Sequence, residues 1–256
     1  MRLSLRNLAL SSLALVLTAC GGGGDFFEPD TPSAAVLSEA LYVSAAGTYE
    51  YRTDYDVVGI PPEADMTRIS VAGGIWARLF ALEHGGGAVY MFEARQNGVF
   101  SPAHEFRIPI IDVPRGTSLQ QIATVDVNGK LRLYLQNTRR RNVFYQFAYV
   151  RTATGPAFQF AADGVRSSLA VTGMPADADY SRFSFHHAGS TYRFMCHRKG
   201  SETVMYQAGW RNATKRYEYG YSSRDAVAIS MPDGVSANSK VLHDGSNYRA
   251  FRLRHR

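Results

Sequence analysis

Basic side chains cluster at three places where the sequence pattern indicates loops or a chain end. They are Arg139, Arg140 and Arg141, then Arg198 and Lys199, then Arg254 and Arg256. Guanidinium groups bind carboxylates and phosphates through paired hydrogen bonds, so these clusters are typical of a surface that docks an anionic partner. Acidic residues in the neighbouring segments leave a second interpretation open, in which the charges form a self-compensating, solvated rim.

Two histidines and one aspartate occupy matching places at the ends of predicted strands. They are Asp126, His187 and His243. Such groups ligate a metal when several converge, but these three come from different repeats. The favoured interpretation is that they cap turns, and no metal or other cofactor is expected. The sequence also lacks G-x-S-x-G, H-E-x-x-H, P-loop and G-x-G-x-x-G patterns, so it carries no recognisable catalytic motif.

Four arginines recur at a nearly constant distance after a proline. Arg78, Arg132, Arg193 and Arg249 follow Pro61, Pro114, Pro175 and Pro232 by 17, 18, 18 and 17 residues. This spacing predicts that each arginine occupies the same position of a repeated unit. Because a buried guanidinium without a partner is costly, we expect each to meet an acceptor within its own unit. A symmetric ring that binds an anion is the alternative.

A tyrosine marks the third predicted strand of every repeat. The four are Tyr42, Tyr90, Tyr145 and Tyr206. Aromatic rings at one place of a repeat are typical of packing between units, which is the favoured role. Stacking on a sugar is the alternative.

The elements that carry these residues are predicted to be short β-strands. Aromatic residues make up 12% of the 256 residues and glycines number 23, a mixture that favours strands and tight turns. Turns such as Gly73-Gly74 and Asn128-Gly129 separate the first and second strands of a repeat, as in β-hairpins. No segment after residue 20 shows a long helical period, so the predicted fold class is all-β.

Three repeats are complete within the chain, at about residues 61–112, 113–173 and 174–230. The fourth combines residues 231–256 with 38–60, because the C-terminal piece has only two strands and the N-terminal piece supplies two more. A unit shared by both ends closes a ring, which predicts one four-bladed β-propeller domain over residues 38–256. The layout resembles the hemopexin-like propeller in blade number and closure only, without a hemopexin motif. Two β-sandwiches or an open array of hairpins are the alternatives.

The N-terminal segment has the features of a targeting signal. Arg2 and Arg6 precede an apolar run that ends in Leu17-Thr18-Ala19-Cys20. This order resembles the signal peptide and lipobox of bacterial lipoproteins. The resemblance implies that residues 1–19 are removed and that Cys20 becomes the first mature residue, carrying palmitate and other acyl chains.

The predicted function is a non-catalytic binding or scaffolding module held at a membrane. Gly21 resembles an outer-membrane sorting signal, and residues 20–37 are expected to form a flexible tether. Loss of two arginines with the signal lowers the net charge from +6 to +4. This modest charge and the envelope location exclude nucleic acid as a partner. We expect a monomer, anchored in the membrane by its lipid, that binds an envelope protein or an anionic glycan.

Two other functions stay open on the sequence alone. One is a carbohydrate-active or other hydrolytic enzyme with its site at the mouth of the propeller channel, since propellers can assemble catalytic residues from scattered units. The other is a purely structural surface protein without a small ligand.

Overall fold

The computed structural model describes residues 33–43, 45–73, 77–95, 98–188, 191–221, 226–232, 240–243 and 248–254. The strands of this part of the chain form one hydrogen-bonded network, and the predicted all-β class is confirmed for it. No helix among these residues has the length and apolar character that a membrane span requires. The strands are β1 (Ser33–Val43), β2 (Thr48–Ile60), β3 (Ala64–Ala72), β4 (Arg78–Glu83), β5 (Ala88–Ala94), β6 (Val99–Ile111), β7 (Thr117–Val127), β8 (Lys130–Asn137), β9 (Val143–Thr152), β10 (Gly155–Phe160), β11 (Ser168–Thr172), β12 (Ala178–Ala188), β13 (Thr191–Arg198), β14 (Val204–Arg211), β15 (Arg216–Tyr219), β16 (Ala226–Ile229), β17 (Lys240–His243) and β18 (Tyr248–Arg254).

Consecutive strands form antiparallel units of four, and we number the units by their order in the chain. The first unit is β3-β4-β5-β6. In the second, β7-β8-β9 is followed by an outer edge divided into β10 and β11, which both pair with β9. The third repeats this arrangement, since β15 and β16 both pair with β14. The outer edge of the third unit is therefore divided into two strands, as in the second unit.

The fourth unit joins the two ends of the described chain. β17 pairs with β18, β18 with β1, and β1 with β2, all antiparallel. β1 therefore lies between a strand from the C-terminal region and its own hairpin partner, and Leu37 lies opposite Leu253. Its first residue is Ser33, five positions before the boundary expected at residue 38.

The outer strands of neighbouring units pair with one another in parallel. β2 pairs with β6, β6 with β10, β11 with β15, and β16 with β2 again. Each contact is short, covering two residue pairs, but together they link every unit to the next. Because these pairings are parallel, corresponding strands of the four units run in the same direction, although neighbouring strands within each unit are antiparallel.

Turns that begin at the recurring prolines connect one unit to the next. The carbonyl groups of Pro61, Pro114 and Pro175 accept hydrogen bonds from the N–H groups three residues later, at 3.0–3.2 Å. The proline ring fixes φ near the value that the first position of such a turn requires, so proline suits the residue that follows an outer strand and starts the turn. This explains why proline recurs at the start of each repeat.

The hydrophobic core lies between the units, and one of its clusters is mainly aromatic. The rings of Phe144, Phe183, Phe185 and Phe194 are at most 2% exposed, with centroids 4.7–6.3 Å apart. These residues come from the second and third units, so their contacts hold two units together. Burying each ring contributes roughly 2–3 kcal/mol.

A lysine lies fully buried among the first strands of the units. Lys240 of β17 faces Phe251 in the ladder, and the equivalent positions of the other units hold Ser70, Ala123 and Ser184. These three small, buried residues leave room for one long side chain. The lysine Nζ donates to the carbonyl oxygens of Phe183 and Ile122, at 2.9 and 3.3 Å, and to the side-chain oxygen of Gln121, at 3.1 Å.

Burial lowers the pKa of Lys240 to about 7, whereas a lysine in the unfolded chain titrates near 10.4. Between these values the unfolded chain holds a proton that the folded chain has released, so stability increases with pH in this window. Below pH 7 both states are protonated, and the full cost of burying the ammonium group is present.

We expect Lys240→Met to remove this pH dependence. The stability of the natural protein relative to the variant should increase by about 2 kcal/mol from pH 7 to pH 9. Urea unfolding at a series of pH values measures the difference. Parallel stability curves for the two proteins would show that the ammonium group is not desolvated by folding.

Candidate functional site

The predicted basic clusters lie at one end of the strands. Because the units share one strand direction, the loops between second and third strands lie at the same end as the last residue of β18 and the first residue of β1. We call this the basic end. Its basic clusters comprise Arg139, Arg140, Arg141, Arg198, Lys199 and Arg254. Arg256, also predicted for this set, lies outside the described residues.

A side-chain cap shapes the loop that carries the three consecutive arginines. The Oδ1 of Asn137 accepts the backbone N–H groups of Arg139 and Arg140, both at 2.8 Å. Asparagine stabilises turns in this way. The backbone polar groups are thus satisfied within the loop, and the side chains of Arg139, Arg140 and Arg141 are exposed.

In the third unit, a buried histidine directly precedes the two exposed cations of the equivalent loop. His197 is fully buried, and its desolvation lowers its pKa to about 3, so this ring is neutral at pH 7. Arg198 and Lys199 follow it and are exposed. The Nζ of Lys199 donates to the carbonyl of Ala176 at 3.3 Å, which directs this side chain toward the link between the units.

Arg141 and Lys199 line the same cleft, although they belong to different units. The cleft has a volume of about 880 Å³ and lies between the second and third units. Gln136 and Tyr180 also line it, and the Nε2 of Gln136 donates to the carbonyl groups of Arg141 and Tyr180 at 2.7 and 3.0 Å. Burial raises the pKa of Tyr180 to about 12, so its hydroxyl stays neutral.

These loop cations lack carboxylate partners in the described structure, in contrast to nine arginines elsewhere in it. Within the described ranges, no ion pair involves Arg139, Arg140, Arg141, Arg198 or Lys199. The arginines that do form ion pairs with carboxylates are Arg68, Arg78, Arg107, Arg132, Arg151, Arg182, Arg211, Arg249 and Arg254. Arg254 thus lies at the basic end but is bound to Asp54 at 3.2 Å.

A repeated acidic turn at the basic end was missed by the sequence analysis. Asp65 and Asp179 each accept the N–H and hydroxyl groups of the residue two positions later, and pair with Arg68 and Arg182 at 2.9 and 2.7 Å. Burial raises the pKa of Asp179, but bonds from Ser181 and Arg182 outweigh it and keep the pKa below its usual value. The visible signal was an Asp-x-Thr/Ser-Arg pattern four residues after two of the prolines. Asp65 and Asp179 are thus bound within their own turns and do not neutralise the loop cations.

Two of the recurring arginines find acceptors at equivalent places. Arg249 donates to both carboxylate oxygens of Glu39, at 2.6 and 2.9 Å, and Arg193 donates to the Oε1 of Gln207 at 2.9 Å. Glu39 and Gln207 both lie on the third strand of their units, opposite the residue two positions after the arginine. Glu39 is only 1% exposed, so its pairing with Arg249 is a buried ion pair.

The other two recurring arginines use acceptors from different positions. Arg132 lies 3.3 Å from Asp163, a residue in the break between β10 and β11. Arg78 lies 3.6 Å from Glu93 on the third strand, and both side chains are more than a third exposed. The arginine position recurs in all four units, whereas the acceptor position does not.

Three of the four predicted tyrosines are equivalent in the strand register. Tyr90, Tyr145 and Tyr206 lie opposite Ala81, Leu135 and Cys196 on the adjacent second strands. Their rings pack on Phe106, Phe160 and Tyr219, at 5.1, 5.7 and 5.9 Å. The fourth unit has Ser38 at this place, and Tyr42 lies four residues farther along β1, against Tyr49. The equivalence predicted for Tyr42 is therefore wrong, because residue counting could not locate the register of a strand whose partner is distant in the chain.

The weak metal candidates have other contacts. The Oδ1 of Asp126 accepts the N–H of Gly129 at 2.7 Å and so caps its turn. The ring of His187 packs on Tyr192 with centroids 4.1 Å apart. The side chain of His243 lies outside the described part. Within that part, no group of three or more His, Cys, Asp or Glu residues is arranged to hold a metal ion.

A second cleft, of about 680 Å³, opens between the first and second units toward the other end of the strands. Its carboxylates include Glu105 and Asp163. A hydrogen bond from Tyr149, helped by Arg151, lowers the pKa of Glu105, and Lys130, helped by Arg132, lowers that of Asp163. These two groups are therefore anions held by their neighbours, in contrast to a general acid, which needs a raised pKa.

Comparisons with known proteins give only distant structural likenesses. No protein-family model matches the chain, and no curated protein matches it. Similar solved structures include an α-L-arabinofuranosidase from Clostridium thermocellum, with 15% identity over 71% of this chain and 59% of that one and a TM-score of 0.39. SapL1 lectin in complex with alpha methyl fucoside has 14% identity over 72% and 51%, with a TM-score of 0.31. An exo-β-1,3-galactanase from Phanerochaete chrysosporium has 9% identity over 80% and 50%, with a TM-score of 0.37. This chain covers little more than half the length of these proteins, and matches of this strength do not identify a function.

The buried ion pair of the fourth unit should matter far more for stability than the exposed one of the first. Arg249→Leu leaves Glu39 buried without its cation, so we expect the free energy of unfolding to fall by about 3 kcal/mol. Arg78→Leu is the matched control and should cost less than about 1 kcal/mol, because its ion pair is exposed to solvent. Urea unfolding compares the two variants, and equal losses would contradict the difference.

Proposed function

We propose that the folded part of the chain is a closed four-bladed β-propeller whose last blade is formed by strands from both ends. Two observations support this. The described strands fall into four antiparallel units of four, the last built from β17, β18, β1 and β2. The parallel pairings of the outer strands run from unit to unit and return to β2. Shared strands of this kind close a propeller by hydrogen bonds.

The proposed function of this propeller is that of a non-catalytic binding module in the cell envelope. Its attachment would be a lipid on Cys20 after removal of residues 1–19, with the outer membrane as the location. The Leu17-Thr18-Ala19-Cys20 motif supports the attachment. The partner would be an anionic envelope protein or glycan that binds at the basic end.

One observation supports binding at this end above all others. Arg141 and Lys199 come from separate loops and line one cleft, and neither forms an ion pair in the described structure. Exposed cations that are not neutralised by an internal carboxylate can bind an external anion. The cleft volume of about 880 Å³ lies within the range of known ligand sites.

The hydrolytic alternative has less support from the same structure. A glycosidase needs one carboxyl group of raised pKa as its acid and a second carboxylate as base or nucleophile. In the second cleft, the carboxyl groups of Glu105 and Asp163 have lowered pKa values and are bound by cations or a tyrosine. Where the first strands of the units meet, buried Lys240 fills the space left by small residues.

Lipid attachment is tested by metabolic labelling. Cells expressing the full chain are grown with labelled palmitate, and Cys20→Ala serves as the comparison. We expect label in the natural protein, which should sediment with membranes, and none in the variant. Equal labelling of both proteins would exclude Cys20 as the attachment site.

Binding in the cleft is tested by capture from envelope extract. The bait is the chain from residue 20 onward with Cys20→Ser, and a double Arg141→Ser, Lys199→Ser variant is compared with a double Arg139→Ser, Arg140→Ser variant. Both variants lose two charges, but only the first changes the cleft. We expect the natural bait and the second variant to retain the same partner and the first variant to lose it.

Two results would contradict this proposal. Equal retention by both variants would place binding outside the cleft. The absence of any retained partner, for all three baits, would refute the binding function at this end.

A further inference from the structure

We propose that the basic end docks directly on the anionic surface of the bilayer that holds the lipid anchor. The occupant of this surface would be anionic lipid headgroups, and the propeller would stand with this end toward the membrane. The inference rests on the proposed lipid attachment at Cys20, and it adds the membrane surface to the protein or glycan proposed above as a second binding partner of the loop cations.

The topology places the first described residues of the chain at the same end as the loop cations. β1 begins at Ser33, and Val36, close to that start, pairs with Arg254 at the end of β18. The chain coming from Cys20 therefore enters the folded part at the basic end. The 13 residues from Cys20 to Ser33 can span no more than about 45 Å, whatever their conformation.

The strands then carry the chain away from this point. β1 has 11 residues, which correspond to a length of roughly 35 Å at the usual rise per residue of a strand. The opposite ends of the strands, including the turn between β14 and β15, thus lie about that much farther from the attachment point. The tether therefore keeps the basic end within about 45 Å of the lipid, and the loop cations are what favour docking by this end.

The charges at this end suit a lipid surface. Arg139, Arg140 and Arg141 on one loop, and Arg198 and Lys199 on the next, are exposed side chains without ion pairs in the described structure. Basic residues placed beside a membrane anchor are attracted to anionic headgroups, each raising the affinity about fivefold. A lipid anchor combined with a basic cluster is also the pair of signals that gives stable attachment.

Three carboxylates at this end that would oppose docking are held by other groups. Asp54 pairs with Arg254, and Asp179 pairs with Arg182. Both oxygens of Asp177 accept the hydroxyl of Tyr206 at 3.0 Å. The loop cations lie on separate loops, and no carboxylate holds them in one orientation. Such cations can follow mobile lipid headgroups, whereas a rigid protein epitope would require a fixed arrangement.

The test measures binding to vesicles without the lipid anchor. The protein is the chain from residue 20 onward with Cys20→Ser, and the vesicles are phosphatidylcholine with or without phosphatidylglycerol. The variant is Arg139→Ser, Arg140→Ser, Arg141→Ser. The matched control, Arg166→Ser, Lys215→Ser, Arg216→Ser, removes three exposed positive charges toward the opposite ends of the strands. Sedimentation at low and high salt gives the partition coefficients.

We expect binding that requires phosphatidylglycerol and weakens with salt. The loop variant should lose on the order of 100-fold in partitioning, and the control less than tenfold. Equal losses in the loop variant and the control would show that net charge alone causes the binding and would overturn the inference. Binding that is independent of phosphatidylglycerol would overturn it as well.

The outcome is separate from that of the proposed function. If vesicles do not bind but an envelope protein or glycan is still retained through Arg141 and Lys199, the membrane surface is refuted and the binding module stands. If palmitate labelling fails, the lipid attachment is refuted whatever the vesicles show.

Discussion

The ladder between β1 and β18 is the constraint on which the rest of the structure depends. It joins strands from opposite ends of the chain, and the Glu39–Arg249 ion pair within it connects residues 210 positions apart. Through β1, this ladder brings β2 to the two outer strands it pairs with, β6 and β16. Closing such a long loop costs chain entropy. The continuous ladder and the burial of Leu37, Phe251 and Leu253 against the first unit offset this cost.

Much of the fold was visible in the sequence because each repeat obeys the same local rules. Prolines that start the turn after an outer strand, and arginines that need an acceptor, recur 17 or 18 residues apart. This spacing was enough to place the repeats and to match the two ends. The register of β1 was not visible, since its partners are distant in sequence. Tyr42 was assigned to a place that Ser38 occupies for this reason.

The candidate site was predictable in outline only. The loop cations follow from composition and loop position, but their availability depends on which carboxylates are already bound. Arg254 looked equivalent to Arg141 in the sequence, yet it is paired with Asp54 on a strand far away in the chain. Lys240 is the opposite case, because nothing in its local sequence indicates that Ser70, Ala123 and Ser184 surround a space for it. The partner of Arg254 and the space around Lys240 both depend on how distant segments pack together. They cannot be read from any one segment of the sequence.

The shared unit also has a consequence for the time course of biosynthesis. A strand can join a ladder only when its partner exists, and β18 is made long after β1. The earlier units can form their own hairpins during synthesis, whereas β1 keeps an unsatisfied edge until residues 248–254 have emerged. The strands of the described part therefore complete their pairing only after residues 248–254 have been synthesised.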